Sequence, residues 1–188
     1  MSITEALIRR GKELHLLGFS VGECRFIVET FELVWPDFFC EWGTNVGNSA
    51  RYFHETRVLL GLDCVMHSVE GVDNIPILRV EEEGMVRGQH VLDVPVGLHI
   101  GIGVEVALDL YAASGKSRPL FFLDGQHDDA SVTVEIESIH SACPEGAMLL
   151  HDAQPSWTYP GPWLAAMRWL KTHPGYEAAE TEAGKKGF

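Results

Sequence analysis

The residues best placed to do chemistry gather in a few short stretches. An apolar run (Phe38, Phe39, Cys40) passes Glu41 and breaks into the turn Gly43-Thr44-Asn45-Val46-Gly47, followed by small and polar residues at Asn48, Ser49 and Ala50. Glycines let a backbone approach a ligand, and a helix N-terminus presents free N–H groups, so strand, turn and helix in this order suit a nucleotide-like cofactor. The same spacing also serves a plain strand-to-helix connection. Glu70 closes the next run, residues 64–69, where a carboxylate can accept from both hydroxyls of a diol; a solvated loop acid is the alternative. Asp124 and His127 follow the apolar residues 119–123, and His151-Asp152 follow residues 147–150. A histidine near neutral pKa suits proton transfer.

The apolar pattern indicates the elements that must hold these residues. Residues 3–17 carry Ile3, Leu7, Ile8, Leu14 and Leu17 at helical spacing, with Ser2 as the cap. A second helix is expected over 21–34, begun after Ser20 and stopped by Trp35-Pro36. Beyond the first strand and turn, helices are expected over 48–60, 73–84, 100–113, 129–142 and 163–172. Further strands are expected over 64–69, 89–96, 119–123 and 147–150, with one more over 176–182. After it Gly184-Lys185-Lys186-Gly187-Phe188 forms a turn with no second arm, so C-terminal strands would be missing. Short apolar strands without alternation, interleaved with helices, indicate a mostly parallel sheet covered on both faces. Such sheets bind ligands at the C-terminal ends of their strands, and an acid at the tip of the second strand is where a Rossmann-type site holds ribose. The organisation expected is one α/β domain, with 1–36 a helical segment packing on the core and 37–188 Rossmann-like.

Bulk properties narrow the partners. The 188 residues are 46% hydrophobic and 22% charged, enough for one sizeable core. A net charge of -13 argues against nucleic acid. No stretch approaches the roughly 20 apolar residues of a membrane span, and the N-terminus lacks the apolar core of a signal peptide, so a cytoplasmic protein is expected. Cys24, Cys40, Cys64 and Cys143 have no CxxC spacing and read as buried free thiols.

FFCEWGTNVGNSA resembles the first motif of class I S-adenosylmethionine (SAM)-dependent methyltransferases. PLFFLDGQHDDASVTVEIESIHSACPEGAMLLHDA is similar to the fourth and fifth strands of the subfamily containing macrocin-type O-methyltransferases and cephalosporin-hydroxylase-like proteins. The resemblance covers about residues 37–152. It implies the class I methyltransferase fold and O-methylation of a small hydroxylated acceptor. Glu41, Gly43 and Gly47 would form the cofactor turn, Thr44, Asn45, Asn48 and Ser49 would line the methionine portion, and Glu70 would hold the ribose. Asp124 matches a position at the cofactor and catalytic site, and His127 matches a general base. Asp124 and Asp152 match carboxylates that bind magnesium in metal-dependent relatives, whereas His151 stands where several of these have a second acid. A hard cation prefers oxygen ligands, which counts against magnesium.

Other readings compete. His127 could cap the helix near Asp129, Asp124 could accept from backbone N–H groups, and His151 reads as a packing and hydrogen-bonding residue rather than a ligand. Trp157, Tyr159 and Trp163 fit an acceptor-pocket wall or core aromatics equally. His54, His67, His90, His99 and His140 fit no constellation, and no two-histidine, one-carboxylate triad has convincing spacing. An inactive or truncated SAM-binding domain acting as a partner module is the alternative function. A nicotinamide-dependent oxidoreductase ranks last, since Gly43-x-x-x-Gly47 lacks the Gly-x-Gly-x-x-Gly pattern. The partner expected is a small-molecule acceptor, with a homo-oligomer left open.

Overall fold

The computed structural model describes residues 1–17, 19–71, 86–153 and 160–179. Two amphipathic helices come first, α1 (Ile3–Glu13) and α2 (Val21–Val34). Each starts in a capping box, Ser2 with Glu5 and Ser20 with Glu23, where serine and glutamate satisfy backbone N–H groups reciprocally. The chain then alternates β1 (Phe38–Trp42), α3 (Asn48–Leu60), β2 (Val65–Glu70), a 3-10 turn (Gln89–Val91), β3 (Val96–Ile100) and α4 (Gly103–Ser114). It continues with β4 (Pro119–Leu123), α5 (Asp129–Ala142), β5 (Ala147–Leu150) and α6 (Gly161–Thr172).

The five strands form one sheet in the order β3-β2-β1-β4-β5, and every neighbouring pair is parallel. All residues of β1 and β4 are buried, as central strands covered on both faces require. Side chains alternate between faces. Phe39, Met66, Leu120 and Phe122 pack with Leu7, Ile27, Phe31 and Phe53 of α1, α2 and α3. Phe38, Cys40, Trp42 and Phe121 pack with Ala107, Ile136 and Trp169 of α4, α5 and α6. α1 lies close on α3: a Cβ on Gly11 would meet the Tyr52 hydroxyl at 2.3 Å. All four cysteines are free and buried.

The chain winds outward from β1 to β2 and β3, then returns to place β4 on the other side of β1. The order reverses there, so the crevice at the C-terminal ends of β1 and β4 is the topological switch point of the sheet.

Several expected boundaries move. The third strand is Val96–Ile100, not 89–96, because Pro95 lacks the N–H a ladder needs and residues 89–91 coil into the 3-10 turn. α1 stops at Glu13, where His15 takes a positive φ of 53°. α4 begins at Gly103 rather than at residue 100. Residues 176–179 form no strand, and no strand follows β5 among the described residues. The helix expected over 73–84, the rest of the strand expected over 176–182, and Trp157 and Tyr159 lie outside the described residues. No described helix is long and apolar enough to cross a membrane.

Candidate active site at the sheet switch point

The turn after β1 depends on backbone conformations that few residues tolerate. Gly43 has φ 107°, and a Cβ there would lie 2.2 Å from the Asp124 carbonyl oxygen, so β1 and β4 can leave the sheet side by side only with glycine at this position. Asn45 (φ 46°) and Gly47 (φ 85°) continue the turn. Gly47 caps α3 with no side-chain hydrogen bond, so the first N–H groups of that helix face outward beside Asn48 and Ser49. The 3-10 turn clamps the other side, with Gly88 N donating to Asn45 O (2.8 Å) and His90 N to Val46 O (3.1 Å).

Buried polar contacts set the turn's shape from below. Glu70 Oε2, at the tip of β2, accepts from Asn45 N at 2.7 Å, and Arg87 Nε lies 3.9 Å away. Thr44 Oγ1 and Ser68 Oγ are 2.6 Å apart, and Ser68 donates to Glu41 Oε1 at 2.7 Å. Glu41 is buried and its Oε2 has no hydrogen-bond partner. Burial pushes its carboxyl up to about 8, against hydrogen bonds from Ser68 and Ser49 and with repulsion from Asp124 and Glu70 adding to the rise. Arg51 joins α3 to the 3-10 turn, donating to Glu55 Oε1 (2.8 Å), His90 O (2.8 Å) and Asp93 Oδ1 (2.6 Å).

At the tips of β4 and β5, four side chains meet. His127 Nε2 lies 3.1 Å from Asp152 Oδ2, a hydrogen bond, and 3.7 Å from Asp124 Oδ1. His151 Nδ1 lies 2.9 Å from Asp124 Oδ1 and 3.5 Å from Asp152 Oδ2. Neither approach has the direction of a hydrogen bond, and this buried nitrogen has no hydrogen-bond partner; the contact is one of charge. Asp152 occupies a left-handed conformation, φ 51°, to bring its carboxylate there. Hydrogen bonding to Asp152 raises the His127 pKa over the opposing effect of burial. Burial lowers that of His151, but the Asp124 and Asp152 carboxylates override it and carry the imidazole to about 10. Burial would raise the Asp152 pKa, yet the two imidazoles hold it well below the usual carboxylate range.

The turn, the start of α3, Glu70, Asp124, His127 and His151 open into one cavity of about 480 Å³. Leu17, Phe19 and Glu23 of the N-terminal segment line it as well. Asn48 Oδ1 holds this wall in place by accepting from Leu17 N at 3.1 Å. Of the residues singled out in the sequence, Gly43, Thr44, Asn45, Asn48, Ser49, Glu70, Asp124 and His127 line the cavity. Glu41 lies buried beneath the turn, Gly47 sits behind it against Val91 and Gly88, and Asp152 backs His127.

Two expectations about the histidines need correction. The cap of α5 is Asp128, which accepts from Ser131 N, so His127 does not cap that helix. His151 packs edge-on against Phe122 and also turns its Nδ1 toward the carboxylates. Asp124, His127 and His151 do form a two-histidine, one-carboxylate group, its possible ligand atoms within 4.8 Å of one another. Chain spacing hides it, because Asp124 and His127 come from one segment and His151 from another 24 residues on, joined only by β4–β5 pairing. Sequence reasoning also missed Trp42 and Glu135. Trp42 Nε1 donates to Glu135 Oε1 at 2.9 Å, and its indole fills the space a Cβ on Gly125 would need, 2.7 Å from Trp42 Cδ1. A tryptophan ending an apolar strand carries no signal of this kind.

The donors decide which of the implied ligands fits. A nucleoside-type cofactor fits the positive-φ turn, the uncapped helix start and Glu70. Magnesium does not fit: the nearest partners of both carboxylates are ring nitrogens, and this ion takes oxygen ligands in near-ideal octahedra.

No family model and no curated protein matches the sequence. Solved structures do match the fold. A SAH-bound methyltransferase from Podospora anserina is 14% identical, with a TM-score of 0.52 over 93% of this chain and 77% of its own. An O-methyltransferase from Streptomyces achromogenes, involved in tomaymycin synthesis and solved with SAM, is 16% identical, with a TM-score of 0.51 over 94% of this chain and 79% of its own. The chain has the Rossmann-like α/β fold of the methyltransferases.

Proposed function

We propose that the protein is a SAM-dependent methyltransferase acting on a hydroxyl group of a small acceptor. The observation that carries this reading is a convergence at the switch point. The positive-φ turn, the uncapped start of α3 and Glu70 open into the same cavity as an acid–histidine cluster. The fold it shares with structures solved with SAM and SAH supports the choice of ligand.

Gly43, Thr44, Asn45, Asn48 and Ser49 would hold the methionine portion, where free helix N–H groups suit a carboxylate. Glu70 would accept from the ribose hydroxyls while it continues to fix Asn45 N. SAM bound there supplies an electrophilic methyl carbon, so alignment of the acceptor provides much of the rate. His127 is the member of the cluster that also lines a second, open cavity with Gly125, Gln126, Asp128, Gly161 and Leu164. The acceptor enters from that side. His127, oriented by Asp152, would take the hydroxyl proton.

Calorimetric titration with SAM and SAH tests the cofactor, using the wild type and Glu70→Gln, which keeps an acceptor for Asn45 N. The expected result is micromolar binding that the variant weakens by roughly 10–100-fold, the range for a hydrogen bond to a charged group. No binding by the wild type would sink the reading. An acceptor screen with labelled SAM then asks whether His127→Ala loses transfer while keeping SAH binding.

A further inference from the structure

We propose that Glu23, on the N-terminal segment outside the region of resemblance, binds the α-ammonium group of the cofactor's methionine portion. The assignment rests on the proposed use of SAM and names the partner of one group of that ligand.

Charge is the first argument. SAM and SAH both end in an amino acid, and each of its charges leaves water favourably only against a partner. The uncapped start of α3 suits the carboxylate. The ammonium group needs an anion, and three carboxylates line the cavity: Glu23, Glu70 and Asp124. Two of them are engaged. Glu70 Oε2 accepts from Asn45 N at 2.7 Å at the ribose end. Asp124 Oδ1 faces His151 Nδ1 at 2.9 Å and His127 Nε2 at 3.7 Å. Glu41 is buried beneath the turn and does not line the cavity.

Glu23 is differently placed. Its Oε2 accepts from Ser20 N at 2.7 Å, while Oε1 has no hydrogen-bond or ion-pair partner among the described residues. No lysine or arginine lines the cavity among the described residues, so no cation of the chain competes for this carboxylate there. Capping of α2 accounts for one oxygen and leaves the other for a ligand.

Position agrees. Leu17 N donates to Asn48 Oδ1 at 3.1 Å, which ties the connector between α1 and α2 to the first residue of α3. Phe19 lies against Tyr52, one turn further along α3, with ring centroids 4.8 Å apart. Glu23 follows in the first turn of α2, where the capping box with Ser20 fixes its side chain. The carboxylate therefore shares a wall with the helix start that suits the other half of the amino acid. The N-terminal helices complete the cofactor site as well as covering the sheet.

The full chain and its Glu23→Gln and Ser20→Ala variants are titrated calorimetrically with three ligands. These are SAH, an SAH analogue with hydrogen in place of the α-amino group, and 5′-methylthioadenosine, which lacks the whole amino acid. Thermal unfolding followed by circular dichroism reports the fold of each sample. Glu23→Gln keeps an amide oxygen for Ser20 N, so α2 stays capped. The wild type should bind SAH roughly 10–100-fold more tightly than the deamino analogue, the range for a hydrogen bond to a charged group. Glu23→Gln should lose most of that preference and leave the other two affinities unchanged. Ser20→Ala should unfold at lower temperature and keep the preference. A Glu23→Gln variant that retains the preference, or that loses affinity for all three ligands alike, would overturn the assignment and leave the SAM reading standing. No binding of any of the three by the wild type would overturn the SAM reading and this assignment with it.

Discussion

Gly43 and Gly61 both adopt positive φ, 107° and 68°, but only Gly43 is enclosed. A Cβ on Gly61 would meet nothing within 4 Å, whereas one on Gly43 would lie 2.2 Å from the Asp124 carbonyl oxygen. Gly61→Ala therefore isolates the cost of the backbone conformation, about 1–2 kcal/mol. Gly43→Ala carries a cost of that kind plus the overlap. The overlap falls on backbone rather than on a flexible side-chain end, and Asp124 N is itself held by Trp42 O at 3.2 Å. Overpacking adds about 1–3 kcal/mol, so the total is roughly 2–5 kcal/mol. For a chain of this length each kcal/mol moves Tm by about 2–4 °C. Urea and thermal unfolding of the two variants, followed by circular dichroism, measure the difference directly. SAH titration adds the functional half: Gly43→Ala should lose binding and Gly61→Ala should keep it. If Gly43→Ala is no less stable than Gly61→Ala, the close approach of the β1 and β4 tips is not a constraint, and the reasoning about the turn fails.

Glu41 should make stability fall with rising pH. Its folded pKa, about 8, lies above the unfolded carboxyl value, so its contribution is complete below the unfolded pKa and is lost as pH rises through about 8. At about 1.36 kcal/mol per pKa unit the full effect is a few kcal/mol, and Glu41→Gln should flatten denaturation midpoints measured from pH 5 to 8; an unchanged slope would place the pH dependence elsewhere. Arg51→Met leaves Glu55 buried with Arg10 alone, 3.2 Å away, and should cost about 3–5 kcal/mol. Adding Glu55→Leu should recover much of that loss, because replacing both partners of a buried pair is often neutral; a double variant as unstable as the single one would argue that the Arg51 contacts to His90 O and Asp93 carry the stability.

The sequence by itself determined the architecture and the location of the site. Apolar runs at 38–40 and 119–123 can be satisfied only inside a sheet covered on both faces, and the alternation with helices makes that sheet parallel. Once the strands are parallel, residues just after their C-terminal ends share one edge, which is why the positions of Gly43, Glu70, Asp124 and His127 along the chain already imply that they lie together. Boundaries were legible where capping boxes and C-terminal glycines stand, as at Ser2, Ser20 and Gly61, and illegible around Pro95 and Gly101, where local signals conflict. Tertiary structure alone decided the rest. Strand order set β4 against β1 and β5 against β4, which carries His151 to Asp124 and turns an apparent packing histidine into part of a cluster. The docking of α1 and α2 on α3 brought Leu17, Phe19 and Glu23 to the cavity wall, a result of packing between elements that no spacing along the chain encodes. The burial of Glu41 is likewise set by three dimensions: residue type allowed it to face a ligand, and the sheet placed it beneath the turn.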